Sequence, residues 1–267
     1  FLGKTMKYSM GLWETGAANL DESQEAMMAD ACRKAGVADG DTILDVPSGF
    51  GCLADHVMRH YPGSKVVSVT LSDVQYQYIV EKQNTPGHPL HTDRFRMIKE
   101  DFARFEIGQK FDKVISLGIF EHVANMGLTL EKIAGMLKPD GACFLHYIAH
   151  NRMIRRFAEP DPDGFFHRYI FPGGRIWPFQ EIFRHQERLR IEKSWFLNGS
   201  NYRRTLEAWL GNFRANLDRI RQIEGMEERW LRIWEFYLRY CIAMFGGMNG
   251  TNVGNGQFLL RHAKMPA

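Results

Sequence analysis

Residues 43–57, ILDVPSGFGCLADHV, read as a buried strand, a glycine-bearing turn and the opening of a helix. Glycines at such a turn let the backbone approach a ligand closely, and the following helix offers unpaired N–H groups. The pattern is Asp45-x-Pro47-x-Gly49-x-Gly51, so the full GxGxxG dinucleotide fingerprint is absent. On these residues alone, an ordinary strand-to-helix turn stands beside a cofactor loop as a reading.

Upstream, LDESQEAMMADACRKAG (20–36) predicts a helix, with Asp21 as its N-cap, Gln24 three residues on and Gly36 as its stop. Downstream, SKVVSVTLS (64–72) is a strand rich in β-branched residues and DVQYQYIVEKQ (73–83) a helix. FRMIKEDF (95–102) and FDKVISLGIF (111–120) are further strands. TLEKIAGMLKPDG (129–141) is a helix with a proline–glycine stop, and ACFLHYIAH (142–150) a fifth strand. Alternation with short connections predicts an α/β, doubly wound, mostly parallel sheet covered by helices on both faces, with its cofactor at the carboxyl ends of the strands.

After residue 150 the alternation stops. FAEPDPDGFFHRYIFPGG (157–174) is aromatic and rich in Pro and Gly. Amphipathic stretches follow over 203–223 and 226–246, and GQFLLRHA (256–263) is a last strand. The expected division is an N-terminal segment 1–36, an α/β core 37–150, a largely helical cap 151–246 and a C-terminal strand 247–267 that returns to the sheet.

The 267 residues are 45% hydrophobic and 24% charged, as in an ordinary globular protein. A net charge of +3 is too weak and too scattered to predict nucleic-acid binding, and Arg152, Arg155 and Arg156 read as one solvated turn. No apolar run is long enough for a membrane-spanning helix. FLGKTMKYSM at the start lacks a signal peptide's apolar core. Cys32, Cys52, Cys143 and Cys241 are far apart and form no CxxC pair, which predicts neither a zinc site nor a disulfide framework and fits a reducing, cytoplasmic setting.

The strand ends narrow the cofactor. A nicotinamide enzyme places an acidic residue at the end of its second strand. Here Thr70 and Gln75 stand there instead, able to hydrogen-bond a ribose or amino group. The third strand ends in Asp101-Phe102, a carboxylate for an adenine amino group beside a ring that can stack on it, with a helix N-cap as the plainer reading of Asp101. Together these suit an adenosine cofactor without a pyrophosphate.

The blocks MKYSMGLW (6–13), VTLSDVQ (69–75), FDKVISLGIFEHV (111–123), FLHYIAH (144–150), YIFPGG (169–174), NYRRTLEAW (201–209) and GQFLLR (256–261) resemble the cyclopropane-fatty-acid synthase family. That family of S-adenosylmethionine (SAM) methyltransferases includes mycolic-acid cyclopropane synthases and coclaurine-type N-methyltransferases. FEHV and YIFPGG are the most specific blocks, and the resemblance runs in order over nearly the whole chain. It implies a Rossmann-like methyltransferase fold and a SAM site drawn from Tyr8, Ser9, Asp45, Gly49, Gly51, Thr70, Leu71, Gln75, Asp101, Phe102 and Ser116. The family's YS element, here Tyr8-Ser9, closes over the methionine end of SAM. Family members usually carry Asp-x-Gly-x-Gly-x-Gly at the turn. Pro47 and Ser48 depart from this, removing one N–H and fixing one φ.

The family's cyclopropane branch holds a bicarbonate ion as base, and its ligand positions map onto Cys32, Glu121, His146, the backbone of Ile148 and Tyr202. A buried Glu121–His146 pair is the structural alternative, and Cys32 alone suits core filler. His150 matches a histidine that coclaurine-type members often use as base, against a solvent-facing loop histidine as the alternative; His56 and His122 read as structural. Tyr8, Phe50, Phe120, Phe165, Phe166 and Tyr169 offer aromatic faces for a sulfonium, although core packing accounts for most such rings.

Two acceptors remain open for a small lipophilic substrate. An amine nitrogen, with His150, Glu121 or His146 as base, is supported by His150 and NGSNYRRTLEAW (198–209). An alkene carbon of a lipid or terpenoid, with bicarbonate as base and contact with a lipid surface, is supported by the bicarbonate positions and VGNGQFLLRH (253–262). A catalytically dead ligand-binding or scaffolding relative is the alternative from another class.

Overall fold

The computed structural model describes residues 1–158 and 163–263, so part of the 157–174 stretch lies outside the described residues. The chain forms two compact units, Met28–Phe196 with Asn255–Ala267, and Phe1–Met27 with Leu197–Gly254. Its elements, in chain order, begin α1 (Leu20–Ala35), β1 (Thr42–Asp45), α2 (Cys52–His60), β2 (Lys65–Thr70), α3 (Asp73–Gln83) and β3 (Phe95–Lys99). Next come β4 (Phe111–Leu117), α4 (Met126–Met136), β5 (Leu137–His150), β6 (Arg155–Arg156), β7 (Arg175–Pro178) and β8 (Leu189–Leu197). The chain closes with α5 (Ser200–Ala215), α6 (Leu217–Arg221), α7 (Glu228–Gly246) and β9 (Val253–His262).

The larger unit is a sheet ordered β3-β2-β1-β4-β5-β7-β6, with β9 pairing both β5 and β8. The steps from β3 through β5 to β7 are parallel and reverse direction across the sheet at β1, which is the doubly wound order. Asp45 of β1 lies level with Ser68 of β2 and Ile115 of β4, and Leu117 of β4 with His146 of β5. Side chains alternate between the two faces. Leu44, Val67, Val114, Leu145 and Tyr147 therefore join Leu130 and Ile133 of α4 in one core, while Asp45, Ser68, Phe144 and His146 point to the other face. Each large apolar side chain buried here stabilises by roughly 2 kcal/mol.

Helix starts follow local chemistry. α1 is capped by Asn19 rather than Asp21: Asn19 Oδ1 accepts from Glu22 N at 3.0 Å while the Glu22 carboxylate accepts from Asn19 Nδ2 and Ala18 N. This reciprocal box begins the helix ahead of Asp21, which instead accepts from Lys4 N at 2.9 Å. α4 starts at Met126, earlier than its apolar pattern suggests, because Asn125 Oδ1 accepts from Leu128 N at 3.0 Å. Its expected last residues, from Leu137 on, belong to β5.

The opening of the stretch expected as a largely helical cap contributes strands, with a π-helical turn over Phe166–Ile170 and a 3-10 turn over Glu181–Arg184 between them. β6 pairs antiparallel with β7, β7 joins β5 at Ala149 and His150, and β8 pairs β9. Ile176 and Trp177 are buried, so this segment is held by sheet pairing and core contact. α-Helix resumes at Ser200.

In the second unit, residues 1–19 are fastened to α5. Thr205 Oγ1 accepts from Gly11 N (3.0 Å) and from the Trp13 indole (2.9 Å), while Asn201 Oδ1 accepts from Trp13 N (2.8 Å). Glu235 of α7 ties to Arg214 of α5 at 2.5 Å, and Tyr202 stacks on Phe245 with ring centroids 4.2 Å apart. Gly199 is required at the start of α5, since a Cβ there would lie 2.1 Å from the Val253 carbonyl.

Candidate active site

The turn after β1 is anchored on both sides. Val46 N donates to Ile115 O (3.0 Å), Ser48 N to Val69 O (2.9 Å) and Gly51 N to Ser48 O (2.9 Å), around a cis Val46–Pro47 peptide. Gly49 (φ 54°) and Gly51 (φ 81°) both take the left-handed conformation that side chains disfavour. Gly51 directly precedes α2, and a Cβ on it would press to 3.3 Å from Ile79. Proline thus replaces a donor without undoing the glycine geometry that follows. Beneath the turn, the buried Asp45 carboxyl accepts from Ser68 Oγ at 2.8 Å, and burial pushes it up to about 7.

At the next strand ends the polar side chains have protein partners. Thr70 Oγ1 donates to Gln75 Oε1 at 2.6 Å, Ser72 caps α3, and Leu71 is exposed. Asp101 Oδ1 accepts from Ala103 N at 2.9 Å while its carbonyl accepts from Arg104 and Phe105, so it caps a turn. Phe102, expected as a stacking platform, is buried with its ring on Phe105 (6.4 Å between centroids) and Lys132 over it.

Two groups with unmet polar capacity lie in and just beyond β4. Ser116 Oγ and Glu121 Oε2 are buried with no hydrogen-bond partner among the described residues. Glu121 Oε1 accepts from Ile148 N at 2.7 Å, and desolvation, outweighing that bond, pushes the carboxyl up to about 7. The segment carrying it is buttressed by β7: Arg175 N donates to Glu121 O (2.9 Å) and the Trp177 indole to Phe120 O (2.7 Å). Gly118 N donates to His146 O at 2.8 Å, completing a main-chain clamp between the β4 end and β5.

The positions mapped to the anion site are distributed as follows. Glu121 and the Ile148 amide meet. His146 is buried with amide nitrogens facing both ring nitrogens, Asn255 Nδ2 at 3.0 Å from Nε2 and Gln257 Nε2 at 3.2 Å from Nδ1. Cys32 lies under the Asp45 end of β1, where burial first and the nearby carboxyl second push its thiol up to about 12. Tyr202 belongs to the second unit, as do Tyr8, which is exposed, and Ser9, which accepts from Lys7 Nζ.

His150 stands at the end of β5. Its Nδ1 accepts from Arg152 N (3.0 Å) and Met153 N (3.1 Å), so its lone pair caps a turn and its proton sits on Nε2. Desolvation and the neighbouring Arg152 lower its pKa, favouring this neutral form. In this arrangement the Nδ1 lone pair is taken up by main-chain amides.

Sequence reasoning passed over Asn255, Gln257 and Lys34. Asn255 and Gln257 stand two apart in the buried part of β9, so both face the same side, and that spacing was the available signal. The buttressing strand β7 was missed because four residues within an aromatic, glycine-rich stretch carry too little periodicity.

Comparison with known proteins follows the same lines. Residues 1–253 match the family described as "Mycolic acid cyclopropane synthetase". Pavine N-methyltransferase of Thalictrum flavum subsp. glaucum is 29% identical over 258 residues, 94% of this chain and 71% of that protein. Cyclopropane-fatty-acyl-phospholipid synthase of Escherichia coli (strain K12) is 28% identical over 242 residues, 90% of this chain and 59% of the relative. The crystal structure of a coclaurine N-methyltransferase bound to N-methylheliamine and SAH is similar at a TM-score of 0.89 and 28% identity, covering 97% of this chain and 78% of that one.

Proposed function

The chain belongs to the mycolic acid cyclopropane synthetase family of SAM-dependent methyltransferases, and we propose that it methylates the nitrogen of a small lipophilic amine with Glu121 as proton acceptor. The observation that carries this reading is the Glu121 carboxyl, buried, one oxygen without a protein partner, and balanced between its two charge states near neutrality. A pKa near the working pH suits a group that must take a proton and later lose it.

SAM fits the residues present. The two left-handed glycines and the start of α2 give it a close backbone approach, and the unpartnered Ser116 hydroxyl adds a polar group in the adjacent strand. We assign Asp45, Gly49, Gly51, Thr70, Leu71, Gln75, Asp101 and Ser116 to this site, with Phe102 supporting it from the core. When bound, SAM supplies an electrophilic methyl group on a sulfonium. Glu121 Oε2 would attract the amine and take up its N–H proton as the nitrogen accepts the methyl group. The Ile148 amide and the β7 contacts hold that carboxylate in one orientation, which lowers the cost of reaching the reactive geometry.

A second reading, methylation of an alkene carbon with bicarbonate removing the proton, draws support from the Glu121–Ile148 contact, since two of the expected anion positions meet there. Against it, both ring nitrogens of His146 already face side-chain amides. The deciding experiment incubates the protein with methyl-labelled SAM, a panel of secondary amines and unsaturated phospholipid vesicles, read by mass spectrometry with and without bicarbonate. Labelled amine, unchanged on bicarbonate depletion, is the expected result. Labelled lipid that requires bicarbonate would replace the nitrogen reading with the carbon one, and absence of SAM binding by calorimetry would remove both.

A further inference from the structure

A chain of buried polar side chains runs from α1 to β9. Asp30 and Lys34, one helical turn apart, pair at 2.7 Å with both side chains under 10% exposed, and Arg33 adds a second cation on Asp30. The Lys34 ammonium lies 4.8 Å from the Trp195 ring centroid and donates to Gln257 Oε1. Gln257 Nε2 faces His146 Nδ1, and Asn255 faces His146 Nε2. Gln257, Asn255 and His146 are all at most 1% exposed.

This chain leaves little freedom to the imidazole. Lys34 has donors only, so it forces the Gln257 carbonyl toward itself and the Gln257 NH2 toward His146. An N–H donor facing Nδ1 requires a lone pair there, which puts the ring proton on Nε2. That proton needs an acceptor, and the Asn255 amide beside Nε2 has a buried oxygen, Oδ1, with no hydrogen-bond partner among the described residues. The Asn255 amide therefore presents its oxygen to Nε2, since the two ends of an amide are interchangeable in shape. Reversing any link would bury an N–H against an N–H and leave a buried donor without an acceptor.

We propose that Lys34 and Gln257 are positioning residues that lock His146 as its Nε2–H tautomer and thereby steady the main-chain clamp on Glu121. The His146 carbonyl accepts from Gly118, and the amide of Ile148, two residues on, donates to Glu121. A ring fixed at both nitrogens fixes the stretch of β5 between those two bonds. The consequence for catalysis rests on Glu121 as base; the tautomer itself does not.

The test is the long-range proton–nitrogen spectrum of histidine rings in the full, 15N-labelled chain without ligands, at about pH 8, where imidazoles are neutral. Wild-type His146 shows the limiting shifts of a pure Nε2–H ring, whereas a free ring shows averaged ones. Gln257→Glu, nearly isosteric, places an acceptor at Nδ1 and exchanges the shifts of the two nitrogens. Lys34→Met frees the Gln257 amide and moves the shifts toward averaging, and Lys34→Arg returns them toward the wild-type pattern. Averaged shifts or an Nδ1–H ring in the wild type would overturn the proposal without any variant having to fold. So would an unchanged His146 pattern in folded Gln257→Glu. Because no acceptor is present, a failed amine assay and a failed tautomer lock are distinguishable.

Discussion

Glu121 concentrates two opposed demands on one side chain. Its carboxyl is useful because it is poorly solvated, and for that reason its charged form costs the fold. A carboxyl whose folded pKa lies above its unfolded value contributes stability that is complete below the unfolded value. That contribution is lost as pH rises through the folded one, here from near 4.5 to about 7. Glu121→Gln is therefore expected to melt higher than wild type at about pH 8, by up to roughly 2–3 kcal/mol, while losing about 100-fold or more in kcat. Differential scanning calorimetry and a single-turnover assay read the two halves. An equal melting temperature across that range would show that burial does not strain this group. The wild-type rate should rise with pH through about 7 as the carboxyl ionises. Glu121 was legible in the sequence through its FEHV block. The state of His150 was not, because the direction of a lone pair depends on amides at 152 and 153 whose position only the folded turn defines.

At the scale of elements, the glycine turn shows what a local pattern can and cannot specify. Gly51 stands at φ 81°, where a Cβ is disfavoured, and it would also crowd Ile79. Gly51→Ala should cost roughly 1–2 kcal/mol of stability and weaken SAM binding several-fold, measured by thermal melts and calorimetry. Unchanged affinity would mean that the turn does not approach the cofactor. α3 coincides with its expected range because its cap, Ser72, and its last turn are adjacent in sequence. α1 starts where its range was expected to but on a different cap, and α4 starts earlier than expected, because asparagines just ahead of them cap more effectively than the residues first favoured. β7 stayed invisible because its reason for being a strand lies in β5 and in the Phe120 carbonyl, both distant along the chain.

Over the whole molecule, the alternating half of the chain announced its own architecture, since each strand–helix pair carries its periodicity within a few residues. The remainder is organised by long closures that composition does not reveal. Residues 11–14 are fastened to Asn201 and Thr205 across nearly the full chain. Asn201→Ala leaves the Trp13 and Glu14 amides without their acceptor and should cost about 2 kcal/mol, with hydrogen exchange at those amides accelerating well before global unfolding. If exchange there matched the wild type, Thr205 alone would suffice as the fastening.

The turn at 151–153 carries a dependence on acidity of its own. His150 holds it by accepting at Nδ1, and a protonated imidazole has nothing left to accept with. A histidine whose folded pKa is lowered lends stability at high pH and withdraws it as pH falls through that value. Mild acid should thus unbutton the chain where β5 hands over to β7, and amide exchange at Arg152 and Met153 should quicken as pH falls below the ordinary imidazole range while Ile148 stays protected. The enzyme would lose its grip at a cuff before it lost its fold.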